Sequence, residues 1–185
     1  MSKITVITGP MKCGKTKTLI ELYKLTTIQG DTNPIMIKPC IDNRFSNNEV
    51  VSRDGDKIPC YNIKSLKDVI QIFALEKINN IFIDEFQFIK GNINQLIDIK
   101  NKDVNIFISG LEKTSELKFF NLMKQAIKIA NTVIYLTGDC DVCGNPSHYT
   151  YYKGTKTNNI LIGDDCYLTV CKSCYKKLIN KEILI

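Results

Sequence analysis

The sequence lacks an apolar run of the ~18 residues that a membrane-spanning helix needs, so it predicts no transmembrane segment. Too few residues precede the first predicted strand to form a signal peptide, and we expect a cytoplasmic protein. Dense lysine and arginine blocks are missing although the net charge is +6, so no nucleic-acid partner is predicted. Internal repeats and low-complexity segments are also absent.

The composition itself is that of an ordinary globular protein. Of 185 residues, 44% are hydrophobic and 24% are charged. This length is sufficient for one good-sized domain plus a small appendage. The mild positive charge suits ligands that carry phosphate.

A phosphate-binding loop is the most informative motif. The β-branched residues 4–8 predict a buried strand, and the apolar spacing over residues 15–29 predicts a helix. Between them lies G-x-x-x-x-G-K-[ST], whose main-chain N–H groups surround phosphate at a helix N-terminus. The lysine of this motif reaches the terminal phosphates, and the threonine hydroxyl can ligate magnesium. The predicted phosphate-binding residues are Gly9, Pro10, Met11, Lys12, Cys13, Gly14, Lys15 and Thr16.

Two carboxylates follow the second informative strand. Three apolar residues lead directly into Asp84 and Glu85. In a parallel sheet the carboxyl ends of strands face the ligand crevice, and an aspartate there commonly holds magnesium next to a phosphate loop. The residues alone do not decide which carboxylate binds magnesium and which acts on substrate.

Strands alternate with helices along residues 1–138, which predicts an α/β fold of the P-loop NTPase type with a doubly wound parallel sheet. The polar segment 39–56 is long enough to be a functional or disordered loop. The predicted strands cover residues 4–8, 35–38, 58–63, 80–83, 104–108 and 132–136, and the predicted helices cover 15–29, 66–75, 93–99 and 116–130.

The sequence changes character at residue 139, where we predict a small zinc-binding domain over 139–185. Two C-x-x-C pairs suit a tetrahedral zinc site that is structural because no ligand position is open. Strands at 149–152 and 159–162 are predicted to form a hairpin between the pairs, with His148, the only histidine, facing solvent. The other four cysteines show no pairing pattern. The predicted zinc ligands are Cys140, Cys143, Cys171 and Cys174.

Taken in order, these motifs resemble the type II thymidine kinases, the small cellular, bacterial and poxvirus-like enzymes. The resemblance covers nearly the whole chain. It rests on the phosphate loop at 9–16, Lys38-x-x-x-Asp42-x-Arg44, the D-E-x-Q-F segment at 84–88 and Tyr167-x-x-x-Cys171-x-x-Cys174.

The resemblance implies transfer of the ATP γ-phosphate to the 5′-hydroxyl of thymidine or deoxyuridine, with Mg²⁺ accompanying ATP. It implies that Glu85 is the general base and that Thr16 and Asp84 hold magnesium. Arg44 and Lys15 would stabilise charge on the transferring phosphoryl group. It also suggests a homotetramer, with dTTP as a possible feedback inhibitor.

The same resemblance implies a nucleoside site in which a loop from the zinc-binding domain holds the base through main-chain groups. The residues that it assigns to this site are Met11, Gln87, Phe88, Leu111, Thr150, Ile160, Leu161, Ile162, Gly163 and Tyr167.

The segment 111–120 departs from the family pattern L-D-x-x-F-x-x-x-P-F. Glu112 replaces the aspartate, Ser115 stands where an aromatic ring stacks on the base, and Phe119 replaces the proline. By analogy with base stacking on nucleic acid, a lost ring costs roughly 1–3 kcal/mol. We therefore expect nucleoside affinity to be weaker by about tenfold or more, and the base preference stays open.

Two alternatives come from other functional classes. One is an NTPase that acts on nucleic acid through the aromatic and basic residues 149–153. The other is a non-catalytic nucleoside or nucleotide sensor, which the altered segment 111–120 would allow.

Overall fold

A parallel six-stranded sheet forms the centre of the structure, a computed structural model that describes residues 2–30, 33–43, 46–75, 78–154 and 165–182. The strands are β1 (Ile4–Thr8), β2 (Ile35–Pro39), β3 (Glu49–Val51), β4 (Lys57–Pro59), β5 (Tyr61–Ile63), β6 (Asn80–Ile83), β7 (Asn105–Gly110), β8 (Thr132–Tyr135), β9 (Gly138–Asp139), β10 (Pro146–Ser147), β11 (Tyr149–Tyr152) and β12 (Tyr167–Val170). The helices are α1 (Lys15–Ile28), α2 (Leu66–Leu75), α3 (Ile93–Lys100), α4 (Asn121–Ile129) and α5 (Lys172–Glu182).

The order of strands in the central sheet is β5-β2-β6-β7-β1-β8, and every described pairing within it is parallel. The inner strands β2 and β6 are buried along their whole length, as expected when helices cover both faces. The edge strand β8 is partly exposed. This arrangement confirms the predicted α/β parallel sheet.

Alternate residues of each strand enter one of two hydrophobic cores, one on each face of the sheet. On one face, Ile81 and Ile83 pack with residues of α2, α3 and α4. On the other, Phe82 packs with Leu19 and Ile20 of α1. The helices therefore lie on both faces, and the carboxyl ends of β1, β6 and β7 meet at one edge.

The prediction of one strand at 58–63 was wrong, because the chain changes sheets at Cys60. Its first part, β4, pairs antiparallel with β3, and its second part, β5, joins the edge of the central sheet beside β2. The Cys60 N–H donates to the carbonyl of Asn48 between the two strands. The polar segment 39–56 therefore contains a strand, β3, rather than loop alone.

The prediction that a helix begins at residue 116 was also wrong, because α4 begins at Asn121. Residues 113–119 instead form a tight loop, closed by a bridge between Lys113 and Phe119. The ring of Phe119 is exposed and lies below the ammonium groups of Lys113 and Lys124, 4.5 and 4.9 Å from its centroid. The first part of the predicted helix, residues 116–120, thus belongs to a surface hairpin, and the rest forms α4.

The chain after β8 forms two small antiparallel sheets followed by α5. In these sheets β9 pairs with β10 and β11 pairs with β12. The predicted second hairpin strand at 159–162 lies outside the described residues, and the partner found for β11 is β12. None of the helices in the described ranges is sufficiently long and apolar to cross a membrane.

Candidate active site

The phosphate loop joins β1 to α1 and takes its shape from three residues with positive φ. Gly9 has φ 153°, Lys12 has φ 63° and Gly14 has φ 88°. A Cβ at Gly9 would lie only 2.4 Å from the carbonyl oxygen of Leu136, so no side chain fits there. The loop geometry therefore requires the glycines that the motif predicted.

Lys15 closes over this loop. Its ammonium donates to the carbonyl of Pro10 at 2.6 Å and lies 3.4 Å from the carbonyl of Gly9. The lysine therefore binds main-chain oxygens of the loop. A phosphate held by the loop would compete with these carbonyls for the ammonium.

Asp84 follows β6 and is the buried acid of the site, with 5% of its surface exposed. The Thr16 hydroxyl donates to its Oδ2 at 3.0 Å, and the Ser109 hydroxyl donates to its Oδ1. Burial, followed by repulsion from Glu85, raises the pKa of Asp84 to about 6, whereas the Ser109 and Thr16 bonds oppose this shift. Thr16 and Asp84 are thus joined directly by a hydrogen bond.

Sequence reasoning missed Ser109. It is the penultimate residue of β7, beside β6, and its position next to Gly110 marked only a strand end in the sequence. Because carboxyl ends of neighbouring parallel strands share one edge of the sheet, a polar residue there could have been identified as a contact of Asp84. Ser109 is fully buried.

Glu85 adopts φ 48°, which is rare for a residue with a side chain and turns the chain into the short 3₁₀ helix Phe86–Phe88. The amide nitrogen of Gln87 donates to Oε2 of Glu85 at 2.5 Å. The amide oxygen of Gln87 accepts the Leu111 N–H at 2.9 Å. Gln87 therefore connects Glu85 to the start of segment 111–120, besides its predicted place near the nucleoside.

Oxygen atoms of Thr16 and Asp84 form a donor set that fits Mg²⁺. Magnesium prefers oxygen ligands and is commonly held by one or two protein groups together with substrate phosphates. The hydroxyl and carboxylate already lie within hydrogen-bond distance of each other beside the phosphate loop. A magnesium ion bound with ATP would therefore have protein oxygens available.

A cavity of about 320 Å³ adjoins the loop, between segment 111–117, the end of β8 and the start of β11. Two of the predicted nucleoside contacts, Leu111 and Thr150, line it. The main-chain N–H of Met11 donates to the Thr150 hydroxyl at 3.0 Å. Lys15, Asp84 and Glu85 are not among its lining residues.

Two other predicted nucleoside residues, Phe88 and Tyr167, contact aromatic neighbours. Phe88 meets Phe120 edge to face at 6.2 Å, and Tyr167 lies 5.2 Å from the Tyr152 ring. The predicted site residues Arg44, Ile160, Leu161, Ile162 and Gly163 lie outside the described residues.

Lys38, which begins the K-x-x-x-D-x-R stretch, is buried at the end of β2 with 3% of its surface exposed. Its ammonium donates to the carbonyls of Ser46 and, at 3.0 Å, Glu49. These bonds satisfy the buried charge and attach the polar segment to the sheet. Asp42 is also buried.

Residues of the C-terminal strand β12 form hydrogen bonds with the phosphate loop. The Thr169 hydroxyl of β12 donates to the Met11 carbonyl at 2.6 Å. The Lys12 ammonium donates to the Tyr167 carbonyl at 3.2 Å and lies 3.8 Å from a carboxylate oxygen of Asp141. Sequence reasoning missed Thr169, because nothing local marks a threonine that contacts a loop 158 residues away.

The four predicted zinc ligands form one cluster. Their sulfur atoms all lie within 4.8 Å of one another, and the Cys143 and Cys171 sulfurs are 3.7 Å apart. Four sulfurs at about 2.3 Å from a tetrahedral zinc ion would be about 3.8 Å apart, so the cluster fits zinc. The Ser173 hydroxyl, with the Cys174 N–H, lowers the pKa of Cys171 to about 6 and favours its thiolate.

The remaining cysteines, Cys13, Cys40, Cys60 and Cys166, form no disulfide. His148 is exposed, as predicted. Burial raises the pKa of Cys60 to about 11, so its thiol stays protonated and unreactive.

Comparisons with known proteins identify the family. The family model described as thymidine kinase matches residues 2–175. A thymidine kinase of Mesomycoplasma hyopneumoniae is 34% identical over 93% of this chain and 94% of its own length. Thymidine kinases of Mycoplasma mobile and Pseudothermotoga lettingae are 32% and 28% identical, over 93% and 97% of this chain and 86% and 98% of their own lengths. The chain therefore belongs to the thymidine kinase family and is an ATP-dependent thymidine kinase.

Proposed function

We propose that the chain transfers the γ-phosphate of ATP to the 5′-hydroxyl of thymidine or deoxyuridine, with Thr16 and Asp84 as magnesium ligands and Glu85 as the general base. The bond between the Thr16 hydroxyl and Asp84 carries this proposal, because it joins the phosphate loop to the strand end that bears Glu85. In this proposal Asp84 binds magnesium, and the adjacent Glu85 accepts the proton of the 5′-hydroxyl.

Magnesium bound with ATP would neutralise phosphate charge. The chain supports this through the Ser109 hydroxyl, which donates to Asp84 and directs its carboxylate. The pKa of Asp84 is raised because a buried negative charge without a neighbouring cation is unfavourable. A cation at this position would remove that cost.

Glu85 takes the proton of the nucleoside 5′-hydroxyl as that oxygen attacks the γ-phosphorus. Its carboxylate oxygen is held by the Gln87 amide, so the side chain is oriented before substrate binds. Half-burial keeps the carboxylate accessible to a hydroxyl at the strand end. Proton transfer of this kind is typically worth ~10²–10⁴ in rate.

Lys15 stabilises charge on the transferring group by exchanging the Pro10 carbonyl for a phosphate oxygen. Main-chain N–H groups of residues 12–16 bind the other phosphate oxygens, since Pro10 has no N–H and the N–H of Met11 donates to Thr150. Arg44, outside the described residues, would supply a second positive charge.

The nucleoside site lies around Leu111, Thr150, Met11 and Phe88 in this proposal. Residues 160–163 and Tyr167 would hold the base from the other side. Since Ser115 offers no ring, the base would be bound by aliphatic contacts and main-chain groups more than by stacking.

The four cysteines bind one structural zinc ion, because four thiolates complete a tetrahedral site and leave no position for substrate. Residues 1–138 and 139–185 act as a kinase domain and a zinc-binding domain. Unpaired thiols fit a reducing compartment such as the cytoplasm. A homotetramer inhibited by dTTP is the assembly that we propose from the family resemblance.

An acceptor screen tests the substrate assignment. Purified protein is incubated with ATP, Mg²⁺ and each deoxynucleoside, and the 5′-monophosphates are quantified. We expect product from thymidine and deoxyuridine and little from purine deoxynucleosides. Preferred phosphorylation of another deoxynucleoside would overturn the base assignment, and phosphate release stimulated only by DNA would favour the nucleic-acid alternative.

A further inference from the structure

Tyr175 links the zinc-binding region to segment 111–120. Its hydroxyl donates to the main-chain carbonyl of Ser115 at 2.6 Å, across 60 positions of sequence. Tyr175 retains only 6% of its surface exposed, so this hydroxyl is largely shielded from water. A short hydrogen bond in such a setting fixes the two groups relative to each other.

The loop that receives this bond is a small closed hairpin. Thr114 N–H donates to the Lys118 carbonyl at 2.8 Å, and Phe120 N–H donates to the Glu112 carbonyl at 3.0 Å. Ser115 lies at the tip of this hairpin. The contact uses the main chain of Ser115, so it does not require a particular side chain there.

The hairpin is therefore held at two points. At its start, the Leu111 N–H donates to Gln87, which also contacts Glu85. At its tip, Ser115 is bound by Tyr175. The bond at the start involves Gln87, which also holds the proposed general base Glu85. The bond at the tip involves the zinc-binding region.

Tyr175 is itself fixed by the cysteine cluster and by aromatic packing. It follows Cys174 directly, and its N–H donates to the Cys171 carbonyl at 2.9 Å. Its ring stacks on Tyr149 at 5.1 Å and meets Tyr151 edge to face at 6.3 Å. A metal ion bound by the cysteines would therefore hold the main chain from which the Tyr175 hydroxyl extends.

We propose that Tyr175 is a positioning residue for the acceptor nucleoside, which transmits the geometry of the cysteine cluster to segment 111–120 through the Ser115 carbonyl. This inference rests on the proposed assignment of that segment to the nucleoside site. It explains how a metal site without an open ligand position would contribute to substrate binding: the cysteine cluster positions Tyr175, and Tyr175 positions the hairpin of the nucleoside site.

The two attachment points predict a separation of kinetic effects. Loss of the Tyr175 hydroxyl loosens the tip of the hairpin but leaves the bond between Gln87 and Glu85. The nucleoside KM should rise, while kcat and the ATP KM change little. A generally damaged protein would instead lose kcat and stability together.

The test is Tyr175→Phe, which removes only the hydroxyl and keeps the ring packing. Thymidine KM should rise about three- to tenfold, the range expected for one hydrogen bond, with kcat, ATP KM and zinc content within twofold of wild type. Tyr151→Phe is the matched control, because it removes a hydroxyl from a ring that contacts Tyr175.

Hydrogen exchange supplies a measurement independent of activity. The amides of residues 114–120 should exchange about three- to tenfold faster in zinc-loaded Tyr175→Phe than in wild type or Tyr151→Phe. Unchanged exchange of these amides overturns the proposal, whatever the activity. Faster exchange with unchanged thymidine KM would show a structural contact without a role in the nucleoside site, which also overturns it. A wild-type protein that phosphorylates no deoxynucleoside would refute the proposed function instead.

Discussion

The Thr169 hydroxyl donates a hydrogen bond of 2.6 Å to the main-chain carbonyl of Met11, so a strand after the first cysteine pair supports the apex of the phosphate loop. Thr150, in the strand that pairs with it, accepts the N–H of the same residue at 3.0 Å. Both main-chain polar groups of Met11 are thus satisfied by side chains of β11 and β12. Phosphate binding should therefore depend on the C-terminal strands.

Thr169→Val tests this dependence. Valine has nearly the same shape, but it leaves the partly buried Met11 carbonyl without its donor, which costs up to about 3 kcal/mol. We expect the melting temperature to fall by about 2–12 °C and the ATP KM to rise several-fold. Thr132→Val, at an exposed position of β8, is the matched control. An unchanged ATP KM in Thr169→Val would show that the loop holds its shape alone.

The parts of the fold that the sequence predicted are those with local signals. Local sequence is sufficient to predict the loop conformation at Gly9 and Gly14 and the buried strand before Asp84. The break at Cys60 was predicted wrongly because it depends on pairing with β2 and β3. The start of α4 was predicted wrongly because residues 113–119 close a local hairpin ahead of the helix. The contacts of Thr169 and Ser109 could not be derived from spacing alone, since each joins residues far apart in the chain.

Lys15→Ala should abolish phosphoryl transfer with little loss of fold. The ammonium binds main-chain carbonyls of the loop, yet it is half-exposed, so its removal should lower the free energy of unfolding by only about 1 kcal/mol. Loss of charge stabilisation should lower kcat by at least ~10². Steady-state kinetics and thermal unfolding measure the two effects, and Lys17→Ala, in an exposed pair with Asp54, is the control. Substantial residual activity would show that this loop is not the ATP site.

Asp84→Asn should stabilise the magnesium-free protein at neutral pH. Because burial raises the pKa of Asp84 to about 6 from 3.8, the folded state binds more protons than the unfolded state between these values. The Asp84 carboxyl group therefore contributes to folding stability below pH 3.8, and this contribution is lost as the pH rises through 6. The variant lacks this loss, so its melting temperature should exceed that of wild type by a few degrees at pH 7.5.

The sign of that difference is checked by repeating thermal unfolding with EDTA at lower pH. The advantage of Asp84→Asn should shrink at pH 5 and disappear near pH 4, where the wild-type carboxyl is protonated. A variant that is less stable than wild type at pH 7.5 would show that the Ser109 and Thr16 bonds outweigh the cost of burial.

Metal analysis should find about one zinc per chain, bound by the four-cysteine cluster. Cys171→Ser should lose this zinc and raise the nucleoside KM more than the ATP KM, since the ligand Cys174 lies in α5 beside Tyr175, which binds Ser115. Cys166→Ser, at an exposed cysteine outside the cluster, should keep the metal. Native protein without zinc, or equal zinc in both variants, would contradict the assignment.

Glu85→Gln tests the division of labour between the two carboxylates. Glutamine keeps the size of the side chain but cannot accept the proton of the 5′-hydroxyl. We expect kcat to fall by ~10²–10⁴ while the dissociation constants of thymidine and ATP stay within a few-fold. Calorimetric binding and single-turnover kinetics separate these quantities.

Asp84→Asn should respond differently, because we assign this residue to magnesium. Its activity should recover partly as the magnesium concentration rises, whereas that of Glu85→Gln should not. The comparison requires kcat of both variants across magnesium concentrations, with wild type alongside. If Glu85→Gln keeps near-normal kcat, Glu85 is not the base. If magnesium rescues Glu85→Gln and not Asp84→Asn, the two roles are exchanged, because the residue whose loss a higher cation concentration offsets is the one that binds the cation.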